Sequence, residues 1–557
     1  MSHWRRQQPG VACEDCRKRK LRCDRQRPKC GACSNSGLVC EVNTDRLPRG
    51  PKKGSLKAMR NRIMSLEEQL HEVDRRAPQR DQFAGLNHDT QGKRAMRDGE
   101  QSQYSDSNNS EEECDQTSPR GVKTLAAVRG EELLSDLMQA DLDQLYFDRV
   151  HATVPIIHKY HYYVWSRNPG LKHSQVCLRN AMWILAMSHS SQFENVREAI
   201  YNETRQKLEE NDLSENNMNV VQIEQVQAWI LITSYEFLRS SYQRAWFSAG
   251  RVFRLVQLLR LHELDNHSEL LQMLSASSSQ EEEIGREERR RAFWVAYCLD
   301  RFISVQNGLP LTLNEEVICT RLPCLESEFE TGKIMRVSSL SEAIAACNVQ
   351  TPLSPLAECA ILVTLYGRAL SHSHVSTVEQ YYGNTTQDFW FRHEWIDFKL
   401  REKADTFALK YPTTTIFAEP MLLMSFMILQ ATTLYLYKIM ESMSVDDSCG
   451  EKVLEYQIQA ITAAKKIANL TKEHARIGYF NGHVFIPAAI YLGIERLMIQ
   501  RDAHMLDMQF LEESSIGEGL DGCLEILRKI QSVNNLAKYY LNLLDSGQLG
   551  DSRPLQP

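Results

Sequence analysis

The chain has 557 residues, 42% of them hydrophobic and 25% charged, and a net charge of −7. At ~100–200 residues per domain, that length implies several units, and 26 Gly with 17 Pro exclude a collagen or a wholly low-complexity chain. The charge is divided: residues 1–80 hold 20 Lys+Arg against 9 Asp+Glu, a net +11, and the remainder 45 against 63, a net −18. A basic head on an acidic body points the head, and not the body, at a polyanion.

The opening MSHWRRQQPG has no apolar h-region, so a secretory signal is not expected. Without export, the 15 cysteines should stay reduced. Six fall within residues 1–45. The other nine are scattered, as small buried hydrophobes would be.

The six are Cys13, Cys16, Cys23, Cys30, Cys33 and Cys40, spaced C-x2-C-x6-C-x6-C-x2-C-x6-C. Each half is C-x2-C-x6-C. Zinc takes four soft ligands in a tetrahedron, and C-x2-C lets one turn of backbone offer two thiolates. Two separate tetrahedra need eight sulfurs; six suffice if two of them bridge. By the symmetry of the halves the bridges are Cys13 and Cys30. One zinc takes Cys13, Cys16, Cys23 and Cys30; the other takes Cys30, Cys33, Cys40 and Cys13. The expected cofactor is Zn²⁺, two per chain. The larger apolar residues of this segment, Val11, Leu21, Leu38 and Val39, are too few to fold it on a core. Zinc binding is therefore folding.

The block CEDCRKRKLRCDRQRPKCGAC adds a basic run between the second and third cysteines, the pair Cys23-Asp24, and Pro28 between the halves. With the spacing, it resembles the fungal zinc binuclear cluster (Zn₂Cys₆) family of transcription factors. The resemblance implies a short helix, begun near Glu14 and continued through Arg22, whose C-terminal end reads a CGG triplet in the major groove. It places Lys20 and Arg19 on base edges. Guanine suits them: its O6 and N7 both accept in that groove, and Arg or Lys can donate to both. Arg17, Lys18, Arg22 and Arg25 are assigned to phosphates, which position the head and make binding salt-dependent. The partner is then double-stranded DNA and the location the nucleus.

Residues 46–55, RLPRGPKKGS, form a basic Pro/Gly linker, and Arg46–Lys53 suits both a nuclear localisation signal and phosphate contact. Within 56–76, Leu56, Met59, Ile63, Leu66, Leu70 and Val73 are spaced 3-4-3-4-3, an a/d seam of nearly three heptads. A helix packed on the body is the alternative. The resemblance implies a homodimer, each head reading one triplet, with the linker setting the gap between half-sites. Residues 77–130, centred on QSQYSDSNNSEEECDQTSP, are polar and expected to be disordered. Asp98–Asp115 is a candidate acidic activation segment, or a solvating linker.

Residues 131–545 show period-3.6 patterning almost throughout and hardly any strand alternation, so roughly ten to twelve helices are expected. They include Leu133–Val150, Val176–Glu210, Val220–Arg239, Gln243–His262, Glu281–Gln306, Trp395–Leu409, Met421–Met443, Glu451–Thr471 and Glu518–Leu544. Met421–Tyr437 is uncharged but only 17 residues long, which fits a buried helix and no membrane partner. YFDRVHATVPIIHKYHYY from Tyr146, SAGRVFRLVQLLRLHEL at Ser248–Leu264 and EERRRAFWVAYCLDRFISVQNGLPLTL at Glu287–Leu313 resemble the fungal transcription factor regulatory region. The resemblance covers most of 140–420. In the last stretch, residues from Ala292 to Ile303 are expected to bury the helix, with Arg289–Arg291 and Asp300–Arg301 as polar pairs at its edges. The resemblance implies a regulatory body, with transcriptional co-regulators and a small-molecule effector as partners. Met505–Asp521 is a second candidate activation segment.

No P-loop, HExxH or GxSxG occurs. The one GxGxxG, Gly517 to Gly522, follows no strand and reads as a loop entering the last helix. His372 and His374 are two apart and cannot share a helix face. His158 and His161 could, but lack a third ligand. Asp141, Asp143 and Asp148 read as surface acids. No catalytic constellation emerges, so an enzyme is not expected. A zinc-dependent RNA- or protein-binding module would want stacking aromatics, and Val11–Val42 has no Phe, Tyr or Trp.

The expected fold is mostly α: a small Zn₂Cys₆ DNA-binding head, a short coiled coil, a disordered linker and a large all-α regulatory domain. The expected function is a nuclear, sequence-specific regulator of RNA polymerase II genes through CGG-type half-sites. It looks like the activators of secondary-metabolite, particularly polyketide, gene clusters; control of primary carbon or nitrogen metabolism is the alternative.

Overall fold

The computed structural model describes Cys13, Cys16, Arg19, Cys23, Asp24, Gln26, residues 28–37 and Cys40, and then residues 134–547 apart from 191–192, 213–220, 267–278, 346–351, 384–386, 443–449, 478–481 and 508–512. The chain divides into two compact units after Thr117. The linker 46–55, the seam 56–76 with all six of its apolar positions, and the polar stretch 77–130 lie outside the described residues.

The first unit contributes one short helix, α1 (Gly31–Asn35). The second is helical, with no strand among its described residues. Its first group comprises α2 (Asp136–Leu145), which passes into a π turn at Tyr146–Val150, α3 (Lys159–Ser166), α4 (His173–Ser188), α5 (Glu194–Asp212), α6 (Ile223–Arg239) and α7 (Tyr242–Leu258). The long α8 (Gln280–Asn307) packs on α6 and α7 and also on the second group. That group comprises α9 (Glu326–Thr331), α10 (Leu340–Ala345), α11 (Pro355–Tyr381), α12 (Gln387–Lys410), α13 (Thr413–Ala418), α14 (Pro420–Glu441), α15 (Gly450–Ile477), α16 (Ile486–Asp507), α17 (Glu513–Ile530) and α18 (Asn535–Asp545). One continuous apolar core runs through both groups.

Among the described residues this unit has seventeen helices, more than the ten to twelve expected. Three of them, α9, α10 and α13, have six residues each, too few to show a period. Two expected helices are each split. Val176–Glu210 breaks after Ser188, where His189 leaves the helical backbone at ψ 7°. Glu518–Leu544 breaks at Asn534, whose Oδ1 accepts from the Leu536 and Ala537 N–H groups while its Nδ2 donates to the Val484 carbonyl. Apolar spacing carries straight across a polar cap of this kind, so periodicity alone does not see it.

Two further expectations are corrected. Gly517, Gly519 and Gly522 lie inside α17, not in a loop before it, and a Cβ at Gly519 would stand 3.4 Å from Ala468. That is ordinary van der Waals contact, so the position does not demand glycine. α17 also takes in the second half of Met505–Asp521, the second candidate activation segment, whose residues 508–512 lie outside the described residues. Asp143 is not an ordinary surface acid: its Oδ1 accepts from the Tyr162 hydroxyl at 2.5 Å and from Trp183 Nε1 at 2.7 Å. Burial raises its carboxyl above the usual range against those two bonds.

α8 departs most from expectation. Only Arg289 of its basic triplet is exposed; Arg290, Arg291, Asp300 and Arg301 are buried. Glu287, fully buried, accepts from Arg291 Nε at 3.1 Å, the Cys324 N–H at 3.0 Å, and Arg290. Asp300 accepts from the Thr312 and Leu313 N–H groups and from Arg301. Both clusters tie α8 to the segment that follows it. Charges at these positions survive burial because each is paired and hydrogen-bonded.

α14 is the one helix among the described residues long and apolar enough to cross a membrane, yet 78% of its most apolar window is buried. It packs on α11, α15 and α16, as an all-round apolar core helix does. His374 and His372 point apart, as their spacing requires. His374 meets the Gly308 carbonyl, and His372 meets His393 at 3.2 Å. His158 caps α3, its Nδ1 accepting from the His161 N–H.

Burial pushes His372 down to about 4, with help from Arg392, and His393 down to about 3, with help from His372. These imidazoles are neutral in the fold, whereas unfolded imidazoles protonate below about 6.5. The unfolded state therefore binds more protons as pH falls, and stability drops with it. Thermal melts should show full stability above pH ~6.5 and a progressive loss toward pH ~4. His372→Phe combined with His393→Phe should reduce that loss, with the remainder left to His483, which burial also pushes down to about 4.

Candidate metal centre and nucleic-acid interface

Five of the six head cysteines are buried and Cys40 is half-buried, and among the described residues of the segment Ala32 is the other apolar residue packed with them. The sulfurs face one another. Cys13 Sγ stands 3.7 Å from Cys30, 3.5 Å from Cys33 and 4.0 Å from Cys23; Cys16 stands 3.6 Å from Cys30. Disulfide sulfurs would stand about 2.05 Å apart. Around a tetrahedral zinc with Zn–S near 2.3 Å, neighbouring sulfurs stand about 3.8 Å apart. The observed spacings are tetrahedral edges.

Two groups of four close on themselves. The sulfurs of Cys13, Cys16, Cys23 and Cys30 lie within 4.8 Å of one another, and so do those of Cys13, Cys30, Cys33 and Cys40. No other His, Cys, Asp or Glu group among the described residues has this geometry. Cys13 and Cys30 belong to both groups, the same two that the sequence symmetry names as bridges. They also share an electrostatic feature. The Cys16 backbone N–H holds the Cys13 thiol below its ordinary value, and the Cys33 backbone N–H does the same for Cys30. Cys16, by contrast, is pushed up to about 12, first by its bond to Cys13 and then by burial. Six soft donors in two shared tetrahedra fit two zinc ions and leave neither an open position.

A second feature braces the centre, and the sequence signals it only through the pair Cys23-Asp24. The Asp24 carboxylate accepts from the Gly31 N–H at 2.9 and 3.0 Å, and from the Gln26 N–H at 3.4 Å. It sits at the start of α1, where the Cys30 sulfur accepts from the Cys33 N–H. Asp24 approaches so closely that a Cβ on Gly31 would stand 2.6 Å from its Oδ2. Gly31→Ala should therefore expel the carboxylate and weaken zinc affinity by about tenfold or more, the value of a charge-assisted hydrogen bond. Competition against a fluorescent chelator measures this. Asp24→Ala should match it, and the double variant should lose no more than either one.

Of the six proposed DNA contacts, Arg19 is described and exposed. Arg17, Lys18, Lys20, Arg22 and Arg25 lie outside the described residues.

Comparison with known proteins finds two matching families. Residues 11–50 match the fungal Zn(2)-Cys(6) binuclear cluster domain, and residues 144–377 match the fungal specific transcription factor domain. A citrinin biosynthesis transcriptional activator of Monascus purpureus is 38% identical, the alignment covering 97% of this chain and 93% of that one. A pigment biosynthesis transcriptional activator of Monascus ruber is 38% identical over 97% and 94%. An azaphilone cluster-specific transcription factor of Aspergillus niger is 40% identical over 84% and 94%.

Proposed function

This chain belongs to the fungal Zn(2)-Cys(6) binuclear cluster family of transcription factors, and on that premise we propose that it is a nuclear, pathway-specific activator of a secondary-metabolite gene cluster. It is a transcription factor and not an enzyme. The observation that carries the DNA-binding reading is the pair of sulfur tetrads sharing Cys13 and Cys30. Cys13, Cys16, Cys23 and Cys30 would hold one zinc and Cys13, Cys30, Cys33 and Cys40 the other, folding a head of net positive charge. Lys20 and Arg19 reach base edges of a CGG triplet, while Arg17, Lys18, Arg22 and Arg25 hold phosphates. The seam Leu56, Met59, Ile63, Leu66, Leu70 and Val73 joins two chains, so that two triplets are read together. Transcriptional co-regulators and a small-molecule effector meet the helical body, and RNA polymerase II genes are the targets. The pathway assignment is supported by the relatives, whose names place them on citrinin, pigment and azaphilone biosynthesis.

Selection of the full chain against a randomised duplex pool tests the reading. Paired CGG triplets at one fixed gap are expected. A Lys20→Ala chain should relax selection within the triplet. Arg25→Ala should weaken all sequences alike and lower the salt slope by about one. An unenriched pool would overturn the sequence-specific reading. Enrichment of a single triplet would overturn the dimer.

A further inference from the structure

Five helices of the second unit converge on a cavity of about 310 Å³. α8 ends beside it, and Gly308, left-handed at φ 61°, turns the chain away. α11, α14, α16 and α18 bring Tyr366, Tyr435, Tyr491 and Tyr540 to its wall. The rings pack in pairs: Tyr366 edge-on to Tyr435 at 5.8 Å, and Tyr491 stacked on Tyr540 at 4.8 Å.

Two of these tyrosines differ from the others buried in the body. Tyr162 bonds Asp143, Tyr201 bonds Glu236, Tyr235 bonds Glu198, Tyr297 bonds Thr364 and Tyr411 bonds Glu358. Tyr366 and Tyr540 are 7% and 2% exposed, yet their hydroxyls make no hydrogen bond among the described residues. Neither hydroxyl is among the buried side-chain atoms left without a partner, so both reach open space in which a ligand or water can bond them. Both hydroxyls belong to residues that line the same cavity, which supplies room for that partner. Among the described residues, the one charged residue on the wall is Lys438, bonded to Glu495 at 3.2 Å. Aromatic walls, a few polar groups and a volume of this size are the marks of a small-molecule site. No Asp or Glu is among the described residues of the wall, so nothing there would pair with a cation.

We propose that this cavity binds a small oxygenated aromatic molecule, neutral or anionic, its rings against the tyrosines and its oxygens bonded to Tyr366 and Tyr540. The site is a property of the body and does not depend on the DNA-binding reading.

The test titrates the full, zinc-loaded chain with 3-hydroxy-2-naphthoate, following the fluorescence of the probe. Saturable one-to-one binding is expected. Tyr366→Phe and Tyr540→Phe, which keep the rings, should each weaken it about fivefold, and together about thirtyfold. Ala488→Phe should fill the cavity and abolish binding. Operator binding by the Tyr→Phe chains is measured in parallel and should equal that of the parent, so failure of the head and failure of the cavity give different results. Absence of saturable binding would overturn the proposal. So would unchanged affinity in the double Tyr→Phe chain, or full binding by a folded Ala488→Phe chain.

Discussion

A Cys30→Ala chain is expected to lose both metal ions and all sequence-specific DNA binding, whereas Cys16→Ala should affect chiefly one ion. The difference follows from position. Cys30 belongs to both sulfur tetrads and Cys16 to one. Cys30 also stands 3.6–3.7 Å from both Cys13 and Cys16 and caps α1. Among the described residues, Ala32 is the one apolar side chain other than cysteine packed around it, which leaves little to hold the segment once metal leaves. Structural zinc supplies about 10–16 kcal/mol of apparent binding free energy in small domains of this kind, and here that energy is the folding energy. Chelation of the parent chain should reproduce the Cys30→Ala result: DNA binding lost while the helical body keeps its far-ultraviolet signal. Equal metal content in the Cys16 and Cys30 variants would contradict the shared-ligand arrangement.

The second large effect lies in the body. Glu287→Ala should destabilise it by about 3–5 kcal/mol, the usual cost of stranding a buried charge. Glu287 is the acceptor for two buried guanidinium groups and a backbone N–H of the following segment. Without it, Arg290 keeps Asp265 at 2.7 Å and Arg291 keeps Glu326 at 2.5 Å, but each loses its buried partner. The Arg291 guanidinium also stacks 3.9 Å over the Phe329 ring. Urea unfolding of the full chain, followed by helical signal, measures the loss. A shift below about 1 kcal/mol would show that the cluster contributes little net stability. Arg289→Ala, on the exposed side of the same helix, should leave the midpoint nearly unchanged.

The head was legible because metal chemistry is written in spacing. C-x2-C-x6-C repeated once admits a shared pair of sulfurs, and the structure groups the sulfurs in that way. The Asp24–Gly31 brace was not legible. It joins residues seven apart through a carboxylate and a backbone N–H, and no residue-type pattern encodes such a bond. In the body, the long helices follow from apolar period, since that period is what buries them. Their ends do not. Asn534 stops one helix and starts another without interrupting the apolar spacing. The charges on α8 were placed at its edges because lone charges avoid cores. Arg290, Arg291 and Arg301 are buried because Glu287 and Asp300 are buried with them and the half-buried Asp265 pairs with Arg290. Pairing between side chains of consecutive helices, such as His372 on α11 with His393 on α12, is likewise visible only once the fold brings them together.

The central claim is that six thiolates hold two metal ions by sharing two sulfurs. Native mass spectrometry of the full chain, with iodoacetamide labelling of the same sample, tests it most directly. The account predicts two zinc ions per chain and protection of Cys13, Cys16, Cys23, Cys30, Cys33 and Cys40 together until chelator is added. One zinc per chain, with two of those six cysteines labelled before chelation, would contradict it.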